Sequence, residues 1–138
     1  MAEQSFSRDI EKVGDVYRFA EEVFESDDIA QDVRFPIQLA LEELFVNLVT
    51  YNEGAQRDIS IDVETHDGGV TVTMTDHDAQ DFDVTKSRDV DIKSTLEERN
   101  PGGLGLHLIQ HMVDHLEYDY QSGRSRIRFT KESQQDDV

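Results

Sequence analysis

Hydrophobic residues recur at helical spacing in two long segments of the chain. From 10 to 24, valines and aromatic residues three or four positions apart predict an amphipathic helix with one buried face. From 33 to 52, apolar residues surround the segment on almost every side, which predicts a helix that runs through the interior. We expect Pro36 to lie in the first turn of this helix, where proline is tolerated.

Two polar residues, Glu43 and Asn47, interrupt the apolar surface of the second helix. They are four positions apart and therefore lie on one face, about one turn from each other. A polar pair inside an apolar helix is costly unless something partners it. A bound cation with its ligand is one such partner, and a buried hydrogen-bond network is the other. The helix alone leaves both interpretations open.

Alternating apolar and polar residues mark the strands, and turn residues separate them. The pattern predicts two hairpins and one short edge strand, at 57–65 with 70–76, at 116–121 with 124–131, and at 4–9. A glycine-rich turn at 101–105 leads into a third helix at 106–115.

The segment 77–100 is acidic and polar, and so long a connection inside a compact domain is usually a functional loop or lid. We expect one short helix in it, at 92–98. The order of elements predicts a single α+β domain over 1–138, with a core at about 8–131 and a polar tail at 132–138.

Composition narrows the range of functions. The chain carries 31 acidic against 13 basic residues, a formal net charge of −18, which disfavours binding to nucleic acid. Such a surface would also repel a nucleotide unless a divalent cation and backbone amides offset the phosphate charge. The absence of cysteine excludes disulfides and thiolate sites. No run approaches the roughly 18–20 apolar residues of a membrane span and no signal peptide is recognisable, so we expect a cytoplasmic protein with no membrane partner.

Three groups of residues could hold a nucleotide. Asn47 offers a neutral oxygen suited to Mg²⁺, and Glu43 could act as a general base. Asp76 ends an apolar strand, where a carboxylate can accept a hydrogen bond from the amine of adenine; an ordinary turn-starting aspartate is the alternative. The glycines Gly102, Gly103 and Gly105 precede a helix, where backbone amides can approach phosphate, although a plain turn needs glycines too.

The order of these three groups is more specific than any one of them. It resembles the N, D and G boxes of the superfamily of gyrase, heat-shock chaperone, histidine kinase and MutL ATP-binding domains. In detail the chain resembles the single-domain anti-sigma-factor serine kinases of the RsbW and SpoIIAB type, over about 8–131. The matching stretches are Glu43-Leu-Phe-Val-Asn47, DHDAQDFD at 76–83, and LEER at 96–99 followed by GGLGL.

The resemblance implies the Bergerat-type ATP-binding fold. This is a two-layer α/β sandwich in which a mixed, mostly antiparallel sheet of four to five strands carries about three main helices on one face. It also implies ATP and Mg²⁺ as cofactors, with Asn47 as the metal ligand, Glu43 as the catalytic base and Asp76 as the residue that reads adenine. The remaining nucleotide-binding positions implied by the motifs are Asp78, Phe82, Arg99, Gly102, Gly103, Leu104, Gly105 and Leu106.

The implied activity is a protein serine/threonine kinase in a partner-switching circuit. Such a kinase phosphorylates a STAS-type anti-sigma-factor antagonist and also sequesters a sigma factor, and relatives can form homodimers. Arg18 falls where SpoIIAB-type proteins contact both partners.

Two alternatives to the kinase stay open. One is a catalytically inactive binding module, an anti-sigma or adaptor protein with weak or no nucleotide binding. Asp78 favours it, because the family has a glycine there that lies against the nucleotide. The other is the ATPase core of a longer machine, which the sequence disfavours because no transducer domain or phosphoacceptor helix is recognisable in it.

Overall fold

In the part of the chain that the structure describes, one five-stranded sheet and three α-helices form the fold. The computed structural model describes residues 2–51, 56–78 and 103–133. The strands are β1 (Ala2–Phe6), β2 (Ile59–His66), β3 (Gly69–Asp76), β4 (His115–Gln121) and β5 (Arg124–Glu132). The helices are α1 (Val13–Ser26), α2 (Gln31–Tyr51) and α3 (Gly103–Met112). The strand order is β1-β2-β3-β5-β4 and every pairing is antiparallel.

The two faces of the sheet differ in polarity because side chains alternate along each strand. On the inner face, Ile61 of β2 pairs with Met74 of β3, which pairs with Ile127 of β5, and all three are fully buried. The outer face carries polar rows such as Asp62, Thr73 and Arg128. The helices pack on the apolar face, so the predicted α+β sandwich is confirmed, with five antiparallel strands.

Helix α2 is the centre of the core. It contacts α1, α3, β3 and β5, and it is buried on most sides as predicted. Its buried apolar residues are Val33, Ile37, Ala40, Leu41, Leu44, Phe45 and Leu48.

The start of α2 differs from the prediction. The carbonyl of Ala30 accepts hydrogen bonds from the amides of Val33 and Arg34, at 3.1 and 3.2 Å, so the helix begins at Gln31. Pro36 therefore lies in the second turn and not the first. There it cannot donate the hydrogen bond that the helix would direct to the carbonyl of Asp32.

The N-terminal boundaries were also predicted wrongly. Strand β1 ends at Phe6, and a single 3₁₀ turn, Ile10–Lys12, precedes α1. The side chain of Asp9 accepts a hydrogen bond from the Glu11 amide at 2.9 Å and so caps this turn. Because the first turn of the expected helix is 3₁₀, α1 begins at Val13 and continues to Ser26.

Both predicted hairpins are present. The β4–β5 turn places Ser122 and Gly123 at positive φ, 49° and 83°, which is the backbone pattern of a type I′ turn. The short helix expected at 92–98 and the polar tail beyond 133 lie outside the described residues. Of the helices described, none is long and apolar enough to cross a membrane.

Candidate functional site

Asn47 is buried in α2 without a hydrogen-bond partner. Its side chain is 1% exposed, and neither its amide oxygen nor its amide nitrogen contacts a donor or acceptor in the described part of the chain. An unsatisfied buried polar group costs about 1–3 kcal/mol. The network of buried hydrogen bonds that would explain Asn47 without a ligand is therefore not formed by the described residues.

Glu43 lies one turn before Asn47 on α2 and is half-buried. Burial raises the pKa of its carboxyl above the ordinary value, and the negative charge of Glu42 raises it further. A raised pKa brings a carboxylate closer to the range in which a general base works at neutral pH.

Asp76 ends β3 and is completely buried. Its Oδ1 accepts a hydrogen bond from the guanidinium of Arg8 and another, at 3.0 Å, from the backbone amide of Asp78. The carboxylate that was predicted to read adenine is thus already held by a cation of the same chain.

Arg8 connects three elements at this point. The side chain of Arg8 is 7% exposed. Its guanidinium donates from Nε to the Arg57 carbonyl at 2.8 Å and from Nη1 to the Leu48 carbonyl at 3.3 Å. Its Nη2 donates to Asp76. Since Leu48 directly follows Asn47, Arg8 brings the end of α2 next to the end of β3. The structure therefore places the first two predicted groups side by side.

The sequence pattern does not mark Arg8 as a residue of this site. It lies in the short connection between β1 and the 3₁₀ turn, where neither a motif nor a hydrophobic period marks it. The only signal would have been the need of a buried aspartate for a cation.

Asp78, which the motif resemblance aligns with a glycine, has an exposed carboxylate that accepts hydrogen bonds from the backbone. Its Oδ2 accepts a hydrogen bond from the Gln56 amide at 2.7 Å. Hydrogen bonds from the backbone of Gln56 and Arg57, together with the positive charge of Arg8, lower the pKa of Asp78.

Two members of the third predicted group, Gly103 and Gly105, lie at the start of α3 and not in a loop before it. The helix begins at Gly103, so Gly103, Leu104, Gly105 and Leu106 form its first turn, and the predicted start at 106 was wrong. The first amides of a helix have no acceptor within it, and they favour anions. Helix α3 packs against α2, which carries Asn47.

The other predicted site residues are placed elsewhere or not described. Phe82, Arg99 and Gly102 lie outside the described residues. The side chain of Arg18 is 70% exposed on α1, forms an ion pair with Asp15, and lines a groove between α1 and β1. Arg18 lines this surface groove and not the cluster formed by Arg8, Asp76 and Asp78.

Comparison with known families identifies the fold. The profile of the histidine kinase-like ATPase domain matches residues 6–131, which is most of the chain. The chain belongs to the histidine kinase-like ATPase domain family. Comparison of this ATPase domain with curated proteins gives no match. Among solved structures it resembles the Acinetobacter baumannii histidine kinase AdeS, with a TM-score of 0.52 and 14% identity, over 98% of this chain and 69% of that one. At that identity the likeness concerns the fold alone.

Domains of this family bind ATP, typically with Mg²⁺. The residues of this domain fit the metal and phosphates of that ligand better than they fit its adenine. At the metal end, the unpartnered amide oxygen of Asn47 is the kind of neutral ligand that Mg²⁺ accepts. The start of α3 presents the backbone amides that phosphate oxygens need. At the adenine end, Asp76 is buried against Arg8, so the adenine amine would have to displace Arg8 or share the Asp76 carboxylate with it.

Proposed function

We propose that this domain binds Mg·ATP and transfers a phosphoryl group to a serine or threonine hydroxyl of a protein. The observation that carries the proposal is the buried, unpartnered amide of Asn47, one turn after Glu43, in a chain of the histidine kinase-like ATPase family. The cation that the sequence left as one of two possible partners would satisfy the oxygen of this amide.

Each residue of the site would have one task in this reaction. The amide oxygen of Asn47 would ligate Mg²⁺, and the amides at the start of α3 would hold phosphate oxygens. Glu43, with its raised pKa, would accept the proton of the attacking hydroxyl. When bound, ATP would supply the phosphoryl group and leave as ADP, and Mg²⁺ would offset the charge of the phosphates.

We propose further that the acceptor is a STAS-type antagonist of an anti-sigma factor and that the domain also sequesters a sigma factor. The support is the resemblance of the spaced motifs to RsbW and SpoIIAB, together with an exposed Arg18 on α1. An exposed arginine, although it pairs with Asp15 on the same helix, can also form the charged contacts that partner recognition uses.

A separate observation supports a second function, in which the domain binds proteins and does not bind a nucleotide. Arg8 and the backbone amide of Asp78 both occupy Oδ1 of Asp76, the acid on which adenine recognition would depend. With Asp76 held by these two donors, the fold would serve protein binding alone.

Calorimetric titration of ATP with and without Mg²⁺ separates the two functions. We expect binding that requires Mg²⁺ and that weakens in Asp76→Asn. No detectable heat at millimolar ATP would eliminate the kinase and leave the binding module.

Glu43→Gln tests the proposed base. Transfer of labelled phosphate from ATP to a STAS-type acceptor protein should be lost, while ATP affinity stays within about twofold of wild type. The control is Glu64→Gln, which removes an exposed carboxylate from β2 and should leave transfer intact. Loss of ATP affinity in Glu43→Gln would show instead that Glu43 holds the site's structure.

A further inference from the structure

Most of the large exposed apolar side chains in the described part of the chain lie on the N-terminal helical segments. In the described part of the chain, four large hydrophobic side chains are exposed, and three of them lie on the N-terminal helical segments. Ile10 is in the 3₁₀ turn, Tyr17 is on α1 and Phe35 is on α2; they are 51%, 50% and 66% exposed. Clustered exposed apolar residues mark interaction sites more often than scattered ones do.

A pocket opens between α1 and α2 in the same region. It encloses about 210 Å³, and its apolar walls come from Val13, Gly14, Val16, Tyr17 and Leu41. Two polar residues of α2, Gln38 and Glu42, complete the lining. With Phe35 they are spaced i, i+3 and i+7, so the three lie along one face of the helix.

Gln38, one of the residues that line this pocket, carries an unsatisfied acceptor. The residue is 7% exposed, and its amide nitrogen donates to the Tyr17 carbonyl at 3.1 Å and to the Glu21 carboxylate at 3.0 Å. These two contacts fix the orientation of the amide. Its oxygen Oε1 is buried and has no donor among the described residues. A donor from outside the chain would remove the cost of this buried acceptor.

Glu42 adds a negative charge to the same pocket. Its side chain is exposed, and it has no ion pair or hydrogen bond in the described part of the structure. The whole chain has a formal charge of −18, so the surrounding field also favours a cation.

We propose that this pocket receives an arginine side chain of a partner protein. The apolar walls fit the methylene stem, and the planar guanidinium can donate to Gln38 Oε1 and to Glu42 together. Tyr17 offers an aromatic face for the same cation. A lysine ammonium, a single compact charge, matches two separate acceptors less well.

The surroundings of the pocket indicate a protein and not a free guanidinium compound. A small ligand would fill the pocket and leave Ile10 and Phe35 in water. A partner segment with apolar residues beside its arginine would cover them, as an anchor residue and its neighbours do in protein interfaces. This site uses other residues than the nucleotide site, so its test stands apart from that of ATP binding.

Four matched helical peptides provide the test. Each carries two leucines that flank one central residue, which is arginine, lysine, citrulline or leucine, and binding to the whole chain is followed by fluorescence anisotropy. We expect the arginine peptide to bind at least about tenfold more tightly than the citrulline peptide, which has the same shape without the charge. Equal binding of these two peptides would overturn the proposal.

Variants locate the binding site and control for folding. A Cβ at Gly14 meets no atom closer than 3.8 Å, so Gly14→Leu should fill the pocket while the helix persists. Gly14→Leu and Glu42→Gln should each lower the affinity for the arginine peptide at least about fivefold. Thermal melts followed by circular dichroism identify variants that fold. Unchanged binding in a folded Gly14→Leu variant would refute the assignment of the pocket.

Phe35→Ser separates a protein partner from a small cation. This substitution should weaken binding of the arginine peptide but should not change binding of N-acetylargininamide. Binding of that small compound is followed by NMR shifts of the Gln38 amide. If N-acetylargininamide binds as tightly as the peptide, the surface is not a protein-docking site and the commitment to a protein partner is wrong.

Discussion

The buried ion pair between Arg8 and Asp76 allows a prediction with a defined magnitude. Arg8→Met keeps an unbranched side chain but removes the charge and the hydrogen bonds to Leu48, Arg57 and Asp76. The side chains of Arg8 and Asp76 are 7% and 0% exposed, so water cannot replace the lost partner. Removing one member of a buried pair typically costs about 3–5 kcal/mol, because the other charge is left buried and uncompensated.

Such a loss is large on the scale of domain stability, which is about 5–15 kcal/mol. We expect the midpoint of thermal unfolding to fall by roughly 10–20 °C. Urea unfolding followed by circular dichroism would measure the change in free energy directly. The matched control is Arg124→Met, since Arg124 pairs with Asp119 at 3.4 Å but is 37% exposed. Exposed pairs contribute only about 0–1 kcal/mol.

The double variant with Asp76→Asn identifies the source of the loss. Because the asparagine carries no charge, Arg8→Met should cost less in its presence than in wild type. If Arg8→Met destabilises no more than Arg124→Met, the two groups are not a buried pair in solution. Arg8 would then not connect the end of α2 to the end of β3 as described.

Three further substitutions test local features. The raised pKa of Glu43 means that its ionised form destabilises the fold. The stability that the protonated carboxyl contributes is complete below the ordinary pKa of 4.5 and is lost as pH rises through the pKa of the folded state. Glu43→Gln should therefore raise the melting temperature more at about pH 8 than at about pH 5. An equal effect at both would contradict this. Ser122→Asn should stabilise by about 0.5–1 kcal/mol in urea unfolding, since asparagine tolerates the positive φ of 49° better than serine. Gly69→Ala should destabilise by about 1–3 kcal/mol, because its Cβ would lie 2.7 Å from the Lys131 carbonyl; a neutral result in the same assay would mean that the strands move apart easily.

Local patterns predicted what depends on neighbouring residues. The apolar surroundings of Asn47 identified a buried amide in α2, and turn residues identified both hairpins, because helix and strand periods are properties of short segments. The start of α2 escaped prediction, since the proline rule marked Pro36 as a first-turn residue while the carbonyl of Ala30 starts the helix earlier.

Contacts between distant residues could not be predicted. Arg8 and Asp76 are 68 positions apart, and the hydrogen bond from Gln38 to the Tyr17 carbonyl spans 21 positions. No local period reports such contacts, because they depend on how elements meet in three dimensions. The ion pair between Asp76 and Arg8 therefore becomes visible only in the folded structure.

The position of β1 at the edge of the sheet has a consequence for the order of folding. Strands β2 and β3, and likewise β4 and β5, are joined by two-residue turns, whereas β1 pairs Phe6 with the distant Ile59. Closing that long loop is entropically slow, so we expect β1 to join the sheet after the rate-limiting barrier. Arg8 follows β1 and would reach Asp76 equally late. Loss of Arg8 should then accelerate unfolding and leave the refolding rate almost unchanged.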